Sequence, residues 1–289
     1  MGETPAVGRP SVSVIVPFAG DDEAAARLAG SLVDLRLADG DELIVADNSE
    51  LPAFGEFAQD GWKVVRATGE HSSYHARNRG AAVATGEWLL FTDADCVPAA
   101  NLIEAYLADV PDDEVGALAG AVVGEPEQDH FLARYAVDRG LLDQGSGLHT
   151  AGEAAATANL MIRRRTLSEL GGFIEGIRSG GDVDLCRRLV SAGWRIDRRP
   201  GAVVRHLHRE SLADLMGSYA RYAAGASWLN KRYPGTAPAW PLAPGLVHCA
   251  RDIAANLARL RFEQAAFRGV DALGMFAHTV GYRRSNAAG

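Results

Sequence analysis

Four apolar runs separated by helical patterns fill the first third of the chain, and that alternation constrains the fold more than any other feature. The runs are SVSVIVPF (residues 11–18), DELIVADNS (41–49), WKVVRA (62–67) and WLLF (88–91). None sustains an in-out alternation, so each should be covered on both faces, as in a parallel sheet flanked by helices. Between them, DDEAAARLAGSLVDLRL places Ala25, Leu28, Leu32 and Leu35 at helical spacing behind two aspartates, and SSYHARNRGAAVATGE reads as a capped helix ending at Gly86. The expectation is an α/β fold with a mostly parallel sheet, whose ligands bind at the carboxyl ends of the strands. Asp47, Asp93 and Asp95 all fall at such ends.

Beyond residue 110 the pattern loosens. VGALAGAVVGEP and TANLMIRR read as strands, DVDLCRRLVSAG as a short helix, and WRID and GAVVRH as two further strands. From Ser211 the character changes to long helices. One stripe runs through Leu212, Leu215, Met216, Tyr219, Tyr222, Ala226 and Leu229, and a second through Leu246, Ala250, Ile253, Leu257 and Leu260. The expected organisation is a flexible N-terminus (1–10), a main domain (11–210, divided at 98/99) and a C-terminal helical region (211–289).

Of the 289 residues, 47% are hydrophobic and 23% charged, the balance of an ordinary globular chain. Three widely spaced cysteines offer neither a disulfide framework nor a zinc-site spacing, which fits a reducing compartment. No signal-peptide pattern, myristoylation site or long apolar span is read, so the expected location is the cytoplasm, with the inner face of the cell membrane as a variant. The net charge of -8 is divided unevenly: residues 205–289 carry 11 Lys+Arg against 5 Asp+Glu, and the rest is strongly acidic. An acidic main domain argues against nucleic acid as a partner.

The stretch EWLLFTDADC ends a buried strand in two aspartates one residue apart. Burying carboxylates is costly unless they are paired or bound to a cation, and Mg²⁺ or Mn²⁺ takes one or two carboxylates together with phosphate oxygens. A second pair, Asp39 and Asp41, lies in a Gly-containing turn and reads as a solvated loop. The third, Asp182 and Asp184 in GGDVDLC, suits either N-terminal capping of a helix or a free general base. His206 and His208 follow a strand, and His206 is a candidate to complete an aspartate-bound metal site or to pack. Arg77 and Arg79 face either solvent or a phosphate. The absence of a P-loop, a dinucleotide G-x-G-x-x-G, a G-x-S-x-G elbow and H-E-x-x-H argues against those enzyme classes.

In this order the motifs resemble family 2 inverting glycosyltransferases with the GT-A fold, over about residues 11–210. SVSVIVPF is similar to the family's opening strand and LIVADNS to its second, while ARNRGAAVATGEWLLFTDADC matches the segment leading into the metal-binding D-x-D. The resemblance implies that Pro17, Asp47, Arg77 and Asp93 lie at the nucleotide sugar. It also implies that Asp95 holds Mg²⁺ or Mn²⁺ with His206, and that Asp182 is the catalytic base. TANLMIRRRTLSELGGF and GGDVDLCRRLVSAGWRI resemble the acceptor side. Two departures stand out: Gly181 replaces a glutamate common before the base, and Asn48 replaces a frequent second aspartate.

The implied function is metal-dependent, inverting transfer of a sugar from a nucleotide diphosphate sugar to a hydroxyl of a glycan or lipid-linked acceptor. The rivals are a sugar nucleotidyltransferase, which should open with a basic Gly-rich loop where this chain has the acidic VPFAGDDEA, and an inactive nucleotide-sugar-binding module. The basic C-terminal helices are expected to pack on the main domain, to pair two copies of the chain, or to touch a membrane surface.

Overall fold

The computed structural model describes residues 9–109, 111–141 and 155–288. The flexible N-terminus expected for residues 1–10 falls, up to residue 8, outside the described residues. Strands β1 (Val12–Phe18), β2 (Glu42–Asp47), β3 (Trp62–Arg66) and β4 (Trp88–Thr92) pair in parallel in the order β3-β2-β1-β4. Every residue of β1, β2 and β4 is buried, as uninterrupted apolar runs require. Val14, Val16, Leu43 and Leu90 face one core layer, and their neighbours Ile15, Ile44, Leu89 and Phe91 face the other.

Helices α1 (Asp22–Leu32) and α2 (Ser73–Val83) cover this half of the sheet. Both start where the sequence predicts a cap: Asp21 accepts from Ala24 N at 2.9 Å and Ser72 from Tyr74 N at 3.2 Å. The predicted face of α1 is the buried one, with Ala25, Leu28 and Leu32 inward.

The second half adds β5 (Cys96–Pro98), β6 (Val115–Gly124), β7 (Asn159–Arg163) and β8 (Arg195–His206), completing the order β3-β2-β1-β4-β7-β6-β8-β5. Here β7 runs antiparallel to both β4 and β6, and β5 antiparallel to β8, while β6 and β8 are parallel. The expected α/β class holds, and the antiparallel pairings account for the looser pattern after residue 110. Short helices α3 (Leu102–Tyr106), α4 (Phe131–Asp138), α5 (Arg164–Glu169) and α6 (Gly181–Ser191) precede the long α7 (Leu212–Arg232), α8 (Leu242–Ala258) and α9 (Phe262–Tyr282).

Three local expectations are corrected. WRID and GAVVRH form one strand, β8, whose register against β6 slips between Gly120 and Ala121, opposite Pro200 to Ala202. Proline has no N–H for the ladder, so the strand passes it as an irregularity rather than ending. Asp41 is not a solvated loop carboxylate: it accepts from Val12 N and Ala38 N, both at 2.9 Å, and pins the start of β1. In α7 the expected stripe holds in part: Leu215 and Leu229 are buried and Met216 and Tyr219 pack beside Leu215, but Leu212 and Tyr222 are exposed and the buried face extends to Ser218, Ala223, Ala224, Gly225 and Ser227. Small residues let α9 approach closely; a Cβ placed on Gly281 of α9 would lie 2.1 Å from Ala220 O.

Glu42 shows how the sheet handles a buried charge. Burial opposes its ionisation, but Lys63 at 2.5 Å, the Ser13 hydroxyl and the Thr85 N–H and hydroxyl outweigh that and lower its pKa to about 2. A carboxyl with a depressed folded pKa contributes stability above its unfolded value that is lost as pH falls toward the folded one. Glu42 should therefore contribute about 3 kcal/mol that disappears between about pH 4.5 and pH 2. Urea unfolding of Glu42→Gln across that range is expected to show a shallower acid dependence than the parent; identical slopes would contradict it.

Candidate active site

The parallel half of the sheet delivers its site residues through strand ends. Pro17 and Phe18 close β1 beside Ala46 and Asp47 of β2. Asp47 is fully buried: one carboxylate oxygen accepts from Ser49 N at 3.0 Å, and the other from Ala53 N at 3.1 Å and pairs with Arg66 Nη1 at 2.8 Å. Burial opposes its charge, yet the Ser49, Ala53 and Arg66 contacts win and hold its pKa below the ordinary carboxylate value. Asp47 thus shapes the loop after β2, and the neighbouring depression is lined by Asn48, Ser49, Arg66, Thr68 and His71 among others.

Asn48 explains its own departure from aspartate. Its amide nitrogen donates to Ala67 O and to Glu70 O, the second at 2.8 Å, while its oxygen accepts from Ser72 N at 3.1 Å. Two carbonyls need donors, which a carboxylate lacks.

Arg77 and Arg79 separate cleanly. Arg79 is exposed, whereas Arg77 is 3% exposed, donates to Asp93 Oδ1 and to Ser73 Oγ, and lies over the rings of Tyr74 and Phe173. Its Nε is buried without an acceptor among the described residues. The arginine is fixed by aromatic stacking as well as by charge, so the first aspartate of DADC is oriented by α2.

The second aspartate is oriented by a strand pairing invisible in local sequence. Cys96 of β5 stands opposite His206 of β8, and Leu207 N donates to Asp95 O at 3.1 Å. His206 Nε2 consequently lies 3.5 Å from Asp95 Oδ1, and Arg209 Nη1 pairs with Asp95 Oδ2 at 3.1 Å. His206 Nδ1 is 2.7 Å from the carbonyl oxygen of Leu207, which can only accept, so the hydrogen-bond network places a proton on Nδ1 and makes Nε2 the nitrogen turned toward Asp95. A carboxylate oxygen and an imidazole nitrogen turned toward one another fit a shared divalent cation, and this donor set would suit Mg²⁺ or Mn²⁺. Cys96 Sγ is close enough to join them, all within 4.8 Å. Burial first, and then the charges of Asp93 and Asp95, raise its pKa well above the ordinary thiol value, and a sulfur donor is softer than Mg²⁺ or Mn²⁺ prefers. His208 goes elsewhere. It packs on Gly124, where an added Cβ would sit 2.2 Å from its Nε2, and burial, reinforced by His206 and His130, lowers its pKa.

The pair in GGDVDLC divides into two roles. Asp184 is fully buried and accepts from Arg188 Nε at 2.7 Å, Arg232 Nε at 2.8 Å and the Tyr233 hydroxyl at 2.8 Å, tying α6 to the end of α7. Asp182 is half-buried and, among the described residues, its carboxylate accepts from the neighbouring Val183 N at 2.9 Å. Of the two, and among the described residues, Asp182 is the one whose carboxylate keeps lone pairs for an acceptor proton.

Tyr74 and Arg209 were missed by sequence reasoning. The hydroxyl of Tyr74 accepts from Gly181 N at 2.9 Å, and a Cβ on Gly181 would lie 2.8 Å from the Tyr74 ring. The ring therefore occupies the space that a glutamate stem at position 181 would need. The signal was the coincidence of an unusual Gly181 with an aromatic at the start of α2, which only contact data could join. Gly181→Ala should cost about 1–3 kcal/mol by overpacking, read from chemical denaturation. An unchanged midpoint would mean that the ring moves freely.

The chain belongs to glycosyltransferase family 2: the family described as "Glycosyltransferase like family 2" matches residues 10–225. The eight-stranded sheet and flanking helices are the GT-A fold, and among solved structures the chain is similar to a mannosyltransferase from Pyrobaculum calidifontis in complex with GDP-Man and Mn²⁺. That likeness has a TM-score of 0.64 and 20% identity, and covers 96% of this chain and 88% of that one. Glucosyl-3-phosphoglycerate synthase from Mycobacterium tuberculosis, in complex with Mn²⁺, UDP-glucose and glycerol 3-phosphate, is similar with a TM-score of 0.53, 18% identity and coverage of 78% and 80%. Among curated proteins, the pre-mycofactocin glycosyltransferase of Mycobacterium tuberculosis is 31% identical over 236 residues, 78% of this chain and 49% of the relative. Glycosyltransferase AglE of Haloferax volcanii is 26% identical over 195 residues, 65% of this chain and 64% of the relative. The chain spans about half the length of the first of these relatives.

Proposed function

We propose that this chain transfers a sugar, with inversion, from a nucleotide diphosphate sugar to an acceptor hydroxyl in a reaction that needs a divalent cation. Residues 11–210 carry the catalysis, and residues 211–289 brace it through the Asp184 contacts to Arg232 and Tyr233. The observation that carries this reading is the convergence of Asp95 Oδ1 and His206 Nε2, 3.5 Å apart at the carboxyl end of the sheet. Asp95 and His206, with Asp93 beside them, would hold Mn²⁺ or Mg²⁺, which when bound supplies charge neutralisation to the leaving diphosphate.

The protein's own groups do the rest. Arg77 holds Asp93 in place, and the loop organised by Asp47 and Asn48 forms the wall at which the nucleoside is received. Asp182 takes the proton from the acceptor hydroxyl as that oxygen attacks the anomeric carbon from the side opposite the departing diphosphate. The carbon–oxygen bond to the diphosphate breaks as the new glycosidic bond forms, and a single displacement inverts the configuration.

The deciding experiment incubates the protein with a panel of nucleotide diphosphate sugars, Mn²⁺ and simple sugar or polyprenyl-linked sugar acceptors, each offering a hydroxyl. Release of free nucleoside diphosphate, abolished by EDTA, is expected, with the product's anomeric configuration opposite to the donor's by proton NMR. Pyrophosphate release, or retention of configuration, would overturn the reading.

A further inference from the structure

We propose that the hairpin formed by α8 and α9 is a docking surface for an anionic lipid membrane, with Leu260 and Phe262 as its inserting tip. The two helices are joined by Arg259, Leu260 and Arg261 and run back along one another, as the 2.9 Å bridge from Arg268 to Asp252 requires. Leu260 has φ +56°, and it is the only non-glycine with positive φ among the described residues. A left-handed backbone is unfavourable for leucine, where glycine or asparagine would be relaxed. The strained residue is nevertheless apolar and 75% exposed, and Phe262 beside it is 64% exposed. A turn built only to reverse the chain would gain from a polar residue here.

The exposed apolar surface continues away from the tip. Leu273, Phe276 and Val280 of α9 are exposed at the three- and four-residue spacing that puts them on one helical face. Helix α8 fully buries a single residue, Cys249, and of the apolar stripe predicted through Leu246, Ala250, Ile253 and Leu257, Ala250 and Leu257 are exposed and Leu246 and Ile253 half-buried. Neither helix is long and apolar enough to cross a bilayer. Helices of this kind lie in the plane of the interface, apolar side inward.

Charge selects the occupant. The acids of the hairpin are already neutralised: Asp252 pairs with Arg268, Asp271 with Arg139 and Arg268, and Glu263 with Arg134. Arg251, Arg259 and Arg261 are exposed and have no ion pair among the described residues. Unpaired arginines on both sides of an exposed leucine and phenylalanine complement an anionic headgroup layer above an apolar interior, whereas a second copy of the same cationic tip would repel.

The test is co-sedimentation of the full chain with vesicles of equal parts phosphatidylglycerol and phosphatidylcholine, and with phosphatidylcholine alone; it does not depend on transferase activity. Binding to the anionic vesicles is expected at low salt, with at least a tenfold (roughly) weaker partition near 1 M salt as screening sets in. Leu260→Asn should weaken partition about tenfold while leaving the thermal midpoint unchanged or raised, because asparagine tolerates the left-handed backbone. Arg259→Gln and Arg261→Gln should each cost about fivefold. Absence of binding at low salt, or partition of all three variants equal to that of the parent, would overturn the proposal. So would a dimer in sedimentation equilibrium that Leu260→Asn dissociates without any vesicle binding.

Discussion

Asp182→Asn is expected to lower turnover by about a hundred- to ten-thousand-fold while donor affinity stays within about twofold. The amide keeps the shape and still accepts from Val183 N through its carbonyl oxygen, so α6 should retain its first turn. It loses the ability to take a proton, which is worth about 3–5 kcal/mol of barrier at that rate ratio. The contrast with Asp184→Asn makes the experiment specific. Asp184 is saturated by Arg188, Arg232 and Tyr233, so an amide there loses charge-assisted bonds and should reduce stability. If Asp182→Asn turns over within about threefold of the parent, the base lies elsewhere.

Asp95→Ala is expected to remove the metal-dependent part of donor binding, weakening nucleoside diphosphate affinity by at least about a hundredfold in the presence of Mn²⁺. The substitution leaves the Nε2 of His206 without the carboxylate that lies 3.5 Å from it and frees Arg209 from its 3.1 Å bridge. Titration calorimetry with and without EDTA measures this directly. In the parent EDTA should abolish tight binding, and in the variant it should change nothing. Equal affinities in the two proteins would defeat the assignment of Asp95 to the cation.

The first half of the molecule was legible because its signals are local. Uninterrupted apolar runs and capped amphipathic helices specify β1 to β4 with α1 and α2, since burial on both faces leaves no other use for VIV, LIV and WLLF. The location of Asp93 and Asp95 just past a buried strand follows from the same reading. In the second half, shorter elements of mixed direction share one sheet, and WRID and GAVVRH could not be seen as one strand because the irregularity at Pro200 looks like a break. The C-terminal helices were legible as helices. Their buried faces were legible only in part, because α7 packs through Leu215 and Leu229 as the spacing implies but also through small residues that carry little hydrophobic signal.

The sequence by itself determined the α/β alternation, the carboxyl-end placement of the aspartates and the basic character of the C-terminal helices, all of which depend on residues near one another in the chain. Tertiary structure alone decided which of each candidate pair is available. Asp184 is consumed by Arg232 and Tyr233, about fifty residues downstream, whereas Asp182 meets, among the described residues, its neighbour Val183 N. His206 meets Asp95 and His208 does not, because the β5–β8 ladder sets Cys96 opposite His206. Gly181 is explained by a ring 107 positions earlier. The physical reason is common to all three. A side chain's chemistry depends on which donors and acceptors its lone pairs meet, and in a folded chain those partners come mostly from distant segments brought together by burial of the core.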